Sequence, residues 1–207
     1  MESKEEKPSA GRKIYIAAAL FLILVALPAG SWLYLRGGLN WRKQAVSELA
    51  SYGKIRGAYI IWQDRTKEDL LDGKVVVVHL FGEDPQISAE NRKILDTGER
   101  LFKQFGQNEH FRLAMISKGG SAEFRSYAQT LPSADYATWV WTGGLGSWQT
   151  ILQNSYESYC LAEKVSPDPQ YYALADTSGT IRRFYNALDE KQLDRMVQHI
   201  ALLLPTK

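Results

Sequence analysis

From Ile14 to Leu35 the chain runs for 22 residues without a charge, bounded by Arg12-Lys13 on one side and Arg36 on the other. As a helix this stretch is about 33 Å long, enough to cross a hydrocarbon core of about 30 Å. Tyr15 near its start, and Trp32 and Tyr34 near its end, suit the two membrane–water interfaces. The alternative is a cleaved signal peptide, with Pro28-Ala29-Gly30-Ser31 as the small-residue segment after an apolar core. Leu27 is bulky where cleavage needs a small residue, and the apolar run continues through Leu35, so the expectation is an uncleaved single-span anchor. Pro28 is a place for a kink, which membrane helices tolerate. Lys4, Lys7, Arg12 and Lys13 against Arg36, Arg42 and Lys43 give only a slight bias toward a cytoplasmic N-terminus.

Beyond the anchor the pattern changes period several times. Gly37-Gly38-Leu39-Asn40 reads as a breaker, and Trp41 to Tyr52 as a short juxtamembrane helix or linker ending at Gly53. A strand follows over Ala58–Trp62, then Lys67–Leu71 as a lead-in over Asp72-Gly73 to Val75–Phe81. That last run is apolar at consecutive rather than alternate positions, the mark of a strand buried on both faces. Ser88 is placed to cap a helix reaching Phe105, with Ile94, Gly98, Leu101, Phe102 and Phe105 on one stripe.

The alternation of strand and helix then repeats. Phe111–Ile116 is a strand, and Ser121 caps a helix with Phe124, Tyr127, Ala128 and Leu131 inward. Thr138–Trp141 is another strand, and Ser147 caps a helix carrying Trp148, Ile151 and Leu152. Tyr171–Ala175 and Thr180–Tyr185 flank the turn Asp176-Thr177-Ser178-Gly179, a hairpin signal with glycine where φ is positive. Asp189 caps a last helix with Leu193, Met196, Val197, Ile200 and Leu204 inward. Strands separated by helices imply parallel crossovers, and the closing hairpin adds antiparallel strands. The fold class is therefore α/β: a mixed, thioredoxin-like sheet flanked by helices, with one N-terminal transmembrane helix. The organisation is a polar tail (1–13), the anchor (14–35), a juxtamembrane linker or helix (36–54) and one domain (55–207).

Composition narrows the chemistry. With 45% hydrophobic residues and 23% charge over 207 residues, the chain has enough apolar material for a sizeable core. Its 25 basic and 23 acidic residues are spread along the sequence without a basic stripe, which argues against nucleic acid as a partner. The single cysteine, Cys160, rules out an intramolecular disulfide, a thiolate-pair metal site and a dithiol redox cycle. No Lys, Arg or His neighbours Cys160 in sequence to stabilise a thiolate, so a small buried hydrophobe is preferred over a reactive thiol.

Four segments carry a family resemblance: Asp72-Gly73-Lys74-Val75 leading to a strand that ends in Phe81-Gly82; Phe111–Ser117; Trp141-Thr142-Gly143-Gly144; and Tyr172–Gly179 with the helix after it. Over roughly residues 55 to 204 the chain resembles the Sco/SenC family, membrane-tethered thioredoxin-like proteins that help metallate the copper site of cytochrome c oxidase. The departures from that pattern are sharper than the matches. The family has two cysteines, separated by three residues, after the first core strand; read without gaps, those positions fall near Gln86 and Glu90. Its copper-binding histidine, in the loop before the hairpin, falls near Asp168, in Val165-Ser166-Pro167-Asp168-Pro169-Gln170. Copper(I) selects thiolate and thioether donors, so the copper role carries over to no residue of this chain, and no metal or other cofactor is expected.

The remaining candidates have plainer explanations. Glu83, Asp84 and Glu90 could hold a hard cation or form an acid–base pair, but carboxylates at this place favour the positive end of the following helix. His79, in the buried strand, is expected to be a neutral core or sheet-edge histidine. His110 sits in a polar turn, and His199 on the polar side of the last helix, where exposure is expected. Pro167 or Pro169 is a candidate for the cis-proline that thioredoxin-like folds place beside the active site. Of the aromatic residues in the C-terminal half, Trp139, Trp141, Trp148, Tyr156, Tyr159, Tyr171 and Tyr172, some belong to the core and an exposed subset would mark a protein contact.

These readings imply a non-catalytic, membrane-anchored accessory or assembly factor for cytochrome c oxidase or another respiratory complex. Its location would be the bacterial inner membrane with the domain in the periplasm, or the mitochondrial equivalent. The partner is expected to be a respiratory-complex subunit or assembly factor, met by two loops at one end of the sheet: Glu83, Asp84, Gln86 and Glu90 in one, Asp168 and Pro169 in the other. The rival is a single-thiol redox enzyme, of peroxidase or thiol-exchange type, which requires an exposed Cys160 near the Glu83–Glu90 loop.

Overall fold

The computed structural model describes residues 10–55, 59–61, 67–69, 71, 73–82, 85–116, 121–131, 139–142 and 146–205. Two compact units are present, Met1–Ala45 and Val46–Lys207.

In the first unit, helix α1 (Ala10–Phe21) passes through a π-helical segment (Leu22–Ala26) into α2 (Leu27–Ser47). The helix is long and apolar enough to cross a membrane. Its π turn has a local cause. The Leu27 N–H bonds the Leu22 carbonyl, and the next residue is Pro28, which has no N–H for a regular helical bond. Gly37 and Gly38 do not break the helix, contrary to the sequence expectation. Glycine in a helix costs about 1 kcal/mol relative to alanine but removes no hydrogen bond, so regular flanking turns carry the helix across the pair. One turn earlier, the Arg36 guanidinium stands 5.2 Å from the Trp32 ring.

The second unit is built on a six-stranded sheet. Its strands are β1 (Gly53–Lys54), β4 (Val75–Leu80), β5 (Phe111–Ile116), β6 (Trp139–Thr142), β7 (Tyr171–Ala175) and β8 (Thr180–Asn186), in the order β1-β8-β7-β4-β5-β6. Strands β4, β5 and β6 are mutually parallel, while β7, β8 and β1 add antiparallel pairs. Strands β2 (Tyr59–Ile61) and β3 (Lys67–Asp69) form a separate two-stranded sheet. The Lys67–Asp69 segment, read from the sequence as a lead-in, is thus itself a strand, paired antiparallel with β2. Helices α3 (Ala89–Phe105), α4 (Ala122–Thr130), α5 (Gly146–Glu163) and α6 (Glu190–Leu203) complete the unit. Helix α5 begins one residue before Ser147, so that serine lies in the first turn rather than at the cap.

Both faces of β4 are buried, as its unbroken apolar run requires. Val76 and Val78 pack in one cluster with Leu152, Tyr159 and Cys160 of α5. Val75 and Val77 pack in the other with Ile94, Leu101 and Phe105 of α3 and Leu193, Met196 and Ile200 of α6. The stripes expected on α3 and α6 are the ones that face the sheet. Arg112 of β5 is also enclosed, opposite Val76.

Residues 48–55 lie along the β8 edge. The Tyr52 N–H bonds the Ile181 carbonyl, and the Ile55 N–H bonds the Gly179 carbonyl at 2.9 Å. Gly179 closes the β7–β8 hairpin at φ +78°, and a Cβ there would come within 2.8 Å of the Ile55 carbonyl oxygen and of Leu71 Cδ1. Gly179→Ala is therefore expected to cost about 2 kcal/mol, from the left-handed backbone plus the displaced strand edge. Equal chemical-denaturation midpoints for the variant and the parent would refute this.

Candidate functional site

Strand β4 ends at Leu80 and β7 begins at Tyr171, and the register pairs His79 with Tyr172. The loops after β4 and before β7 therefore leave the same end of the sheet, where open α/β sheets place their sites. After β4, Pro85 is buried and its carbonyl accepts from the Ser121 N–H at 3.2 Å. Ser88 caps α3 as expected, accepting from the Asn91 N–H at 3.0 Å. The Gln86 carbonyl is held at 2.7 Å by the Asn91 side-chain amide and at 2.9 Å by the Ser88 N–H. These bonds fix the loop while the side chains of Gln86 and Glu90 remain exposed. Glu90, in the first turn of α3, complements the helix dipole. Glu83 and Asp84 lie outside the described residues.

In the opposing loop, Asp168 is tied down from three directions. Its N–H donates to the Tyr156 hydroxyl at 2.8 Å. One carboxylate oxygen accepts from the Gln170 N–H at 2.9 Å, the other from the Asn186 side-chain amide at 2.7 Å. Asp168 thus pins its loop to the end of β8, with Pro169 exposed beside it. No cis peptide bond occurs among the described residues, so neither Pro167 nor Pro169 takes the cis role considered for them. A trans bond suffices because the hydrogen bonds of Asp168 themselves set the turn.

The copper donor set implied by the resemblance does not fit these residues. At its two thiolate positions stand an amide and a carboxylate, and at its histidine position both carboxylate oxygens are engaged in holding a loop. The chain's one thiol is elsewhere: Cys160 is 6% exposed, on the sheet-facing side of α5. This is the bland core position, not the exposed thiol required by the single-thiol reading. Alkylation of Cys160 in the folded protein at neutral pH is expected to be slow and to become fast in denaturant. Rapid stoichiometric labelling without denaturant would contradict the burial.

The histidines fall into three environments. His110 is half-exposed in its turn, 3.7 Å from the Glu109 carboxylate. His79 is 1% exposed, with Nδ1 2.7 Å from the Tyr171 carbonyl. A carbonyl only accepts, so Nδ1 carries the proton and Nε2 has a lone pair, buried with no hydrogen-bond partner. Burial lowers its pKa to about 4, against the pull of the Tyr171 bond.

His199 was expected on the solvent side of α6 and is instead fully buried. Its Nδ1 lies 2.6 Å from the Tyr185 hydroxyl and its Nε2 3.6 Å from the Glu48 carboxylate. Glu48 accepts from Arg195 through two bonds, at 2.7 and 2.9 Å, while its carbonyl accepts from Arg183 at 3.0 Å. Arg182 reaches the next carbonyl, that of Leu49, at 3.2 Å. Sequence reasoning missed this cluster, since Glu48 and Arg195 are 147 positions apart. Of the polar residues of α6, Arg195 and His199 face Glu48 rather than solvent.

No family profile matches the chain, and no curated protein matches it. Solved structures do. A SCO1/SenC family lipoprotein from Bacillus anthracis str. Ames matches over 74% of this chain and 96% of its own, with a TM-score of 0.52 at 12% identity. The fold is thioredoxin-like. BsSco, a member of the Sco family of cytochrome c oxidase assembly proteins, covers 77% of this chain and 97% of its own, with a TM-score of 0.49 at 15% identity. The thioredoxin domain of a thiol-disulfide oxidoreductase from Bacteroides vulgatus covers 75% and 99%, with a TM-score of 0.47 at 19% identity. At these identities the thioredoxin-like fold is what is shared. At this end of the thioredoxin-like sheet, Gln86 and Glu90 are exposed and Asp168 is half-buried.

Proposed function

We propose that this chain is a membrane-anchored, non-catalytic thioredoxin-like accessory or assembly factor for cytochrome c oxidase or another respiratory complex, acting by binding rather than by copper or dithiol chemistry. The observation that carries the reading is a pair of thiol-free, hydrogen-bonded segments, Pro85–Ser88 and Asp168–Gln170, at one end of the sheet. Gln86 and Glu90 are presented outward from a capped helix start, and Asp168 is committed to positioning its loop. Pre-ordered loops lose little entropy on docking, which suits a binding surface. The apolar N-terminal helix supports anchoring at a membrane, and the periplasmic side of a bacterial inner membrane, or its mitochondrial equivalent, is part of the proposal.

Photo-crosslinking in intact membranes tests this. A photoreactive residue at Gln86 or Pro169 is expected to capture a respiratory-complex subunit or assembly protein, and the same probe at Glu157, exposed on α5, is expected not to. Capture from Glu157 alone, or of no respiratory protein from either loop, would overturn the reading.

A further inference from the structure

Between α5 and the ends of β7 and β8 lies a cavity of about 80 Å³, several times the 10–15 Å³ that a single water requires. Tyr156, Tyr159, Tyr171 and Phe184 border it, with Asp168 on one side and Val165 on another. The rings are set in different planes. Phe184 meets Tyr171 at 79°, Tyr156 at 58° and Tyr159 at 48°, with centroids 5.2, 5.2 and 5.4 Å away. Tyr156 and Tyr171 stack at 4.0 Å. Among the described residues, neither lysine nor arginine lines the cavity, and Asp168 is its one acidic group. Aromatic π-density around a cavity that carries one carboxylate and no cation is complementary to a poorly hydrated organic cation.

We infer that this cavity is a binding site for a small methylated ammonium group, with the ring cluster as its cage and Asp168 as its counter-charge. The Gln170 N–H and the Asn186 amide hold the Asp168 carboxylate in place beside the rings. Burial raises the phenols of Tyr156 and Tyr171 to about 12, so both rings stay neutral over the physiological range. Val165 at the cavity is partly exposed, which leaves a path for a ligand from solvent. The site shares the Asp168 loop with the proposed docking surface, whereas the Gln86 loop takes no part in it.

The test is calorimetric titration of the full chain, in a maltoside detergent, with tetramethylammonium and with choline chloride. Neohexanol, the neutral carbon isostere of choline, is the control. Saturable choline binding, at least about tenfold tighter than that of neohexanol, is expected. Asp168→Asn is expected to weaken it about tenfold, and Val165→Trp, which fills the mouth, to abolish it, with thermal melts of both variants confirming the fold. Repeating the titration in nanodiscs distinguishes the source. Loss of choline binding in phosphatidylcholine, but not phosphatidylglycerol, nanodiscs assigns a lipid headgroup; unchanged binding in both assigns a free solute. Absence of saturable binding, or equal binding of neohexanol, means a water-filled cavity and overturns the proposal. Failure here leaves the loop-docking reading standing, because crosslinking from Gln86 does not involve this cavity.

Discussion

Glu48→Ala is expected to destabilise the domain by about 3 kcal/mol, a drop in melting temperature of roughly 2–4 °C per kcal/mol for a domain of this size. The Glu48 carboxylate accepts both Arg195 bonds and stands 4.0 Å from Arg183 and 3.6 Å from His199. Its side chain is 25% exposed and that of Arg195 20%, so the pair is shielded well beyond an ordinary surface ion pair, and removing one partner leaves cations clustered without their anion. The damage would spread to the β8 edge, because Arg183 and Arg182 bind the Glu48 and Leu49 carbonyls of the same segment. A double-mutant cycle with Arg195→Met separates the pair from its surroundings: the double variant should lose markedly less than the sum of the two singles. Additive losses would show that the two side chains do not act on each other. The Arg195 bond, working against burial, holds the Glu48 carboxyl below the usual carboxylate range. This contribution is therefore present above that range and fades as pH falls through the folded pKa.

His79 predicts a second large effect, in a different pH window. In the folded state its pKa falls to about 4 from the ordinary 6.5, because burial penalises the charged form. Below pH 6.5 the unfolded chain therefore takes up a proton that the folded chain refuses. Stability is full above that pH and declines until about pH 4, by about 3 kcal/mol in all. His79→Leu should remove this limb. At pH 7.5 the variant should be nearly neutral, losing the bond to the Tyr171 carbonyl but also an unpartnered buried nitrogen. Denaturant unfolding of both proteins at successive pH values reads the difference directly. Parallel stability curves between pH 7 and 4 would mean that His79 is protonated without cost.

Much of the fold is legible because its signals are local. The unbroken Val75–Leu80 run, the Ser88 and Asp189 caps and the Asp176–Gly179 turn each determine structure within a few residues, and each stands where the sequence places it. The misreadings have two causes, tertiary partnership and helix propagation. His199 lies on a polar helix side, yet that side is covered by Glu48 from far away in the chain. Gly37-Gly38 carries a strong local breaker signal, but the surrounding helix overrides it. The candidate site was legible by subtraction: the absence of thiols at Gln86 and Glu90 is plain in the sequence. The commitment of Asp168 to Gln170 and Asn186 appears only once β8 is folded beside it.

The proposed role requires a thioredoxin-like scaffold without soft-metal or dithiol chemistry at its loop end. Competition titration of the reduced, full-length protein with a chromophoric copper(I) chelator probes this. The chelator is expected to keep its copper, with no protein site competing at one equivalent. Stoichiometric withdrawal of copper(I) by the protein would contradict it.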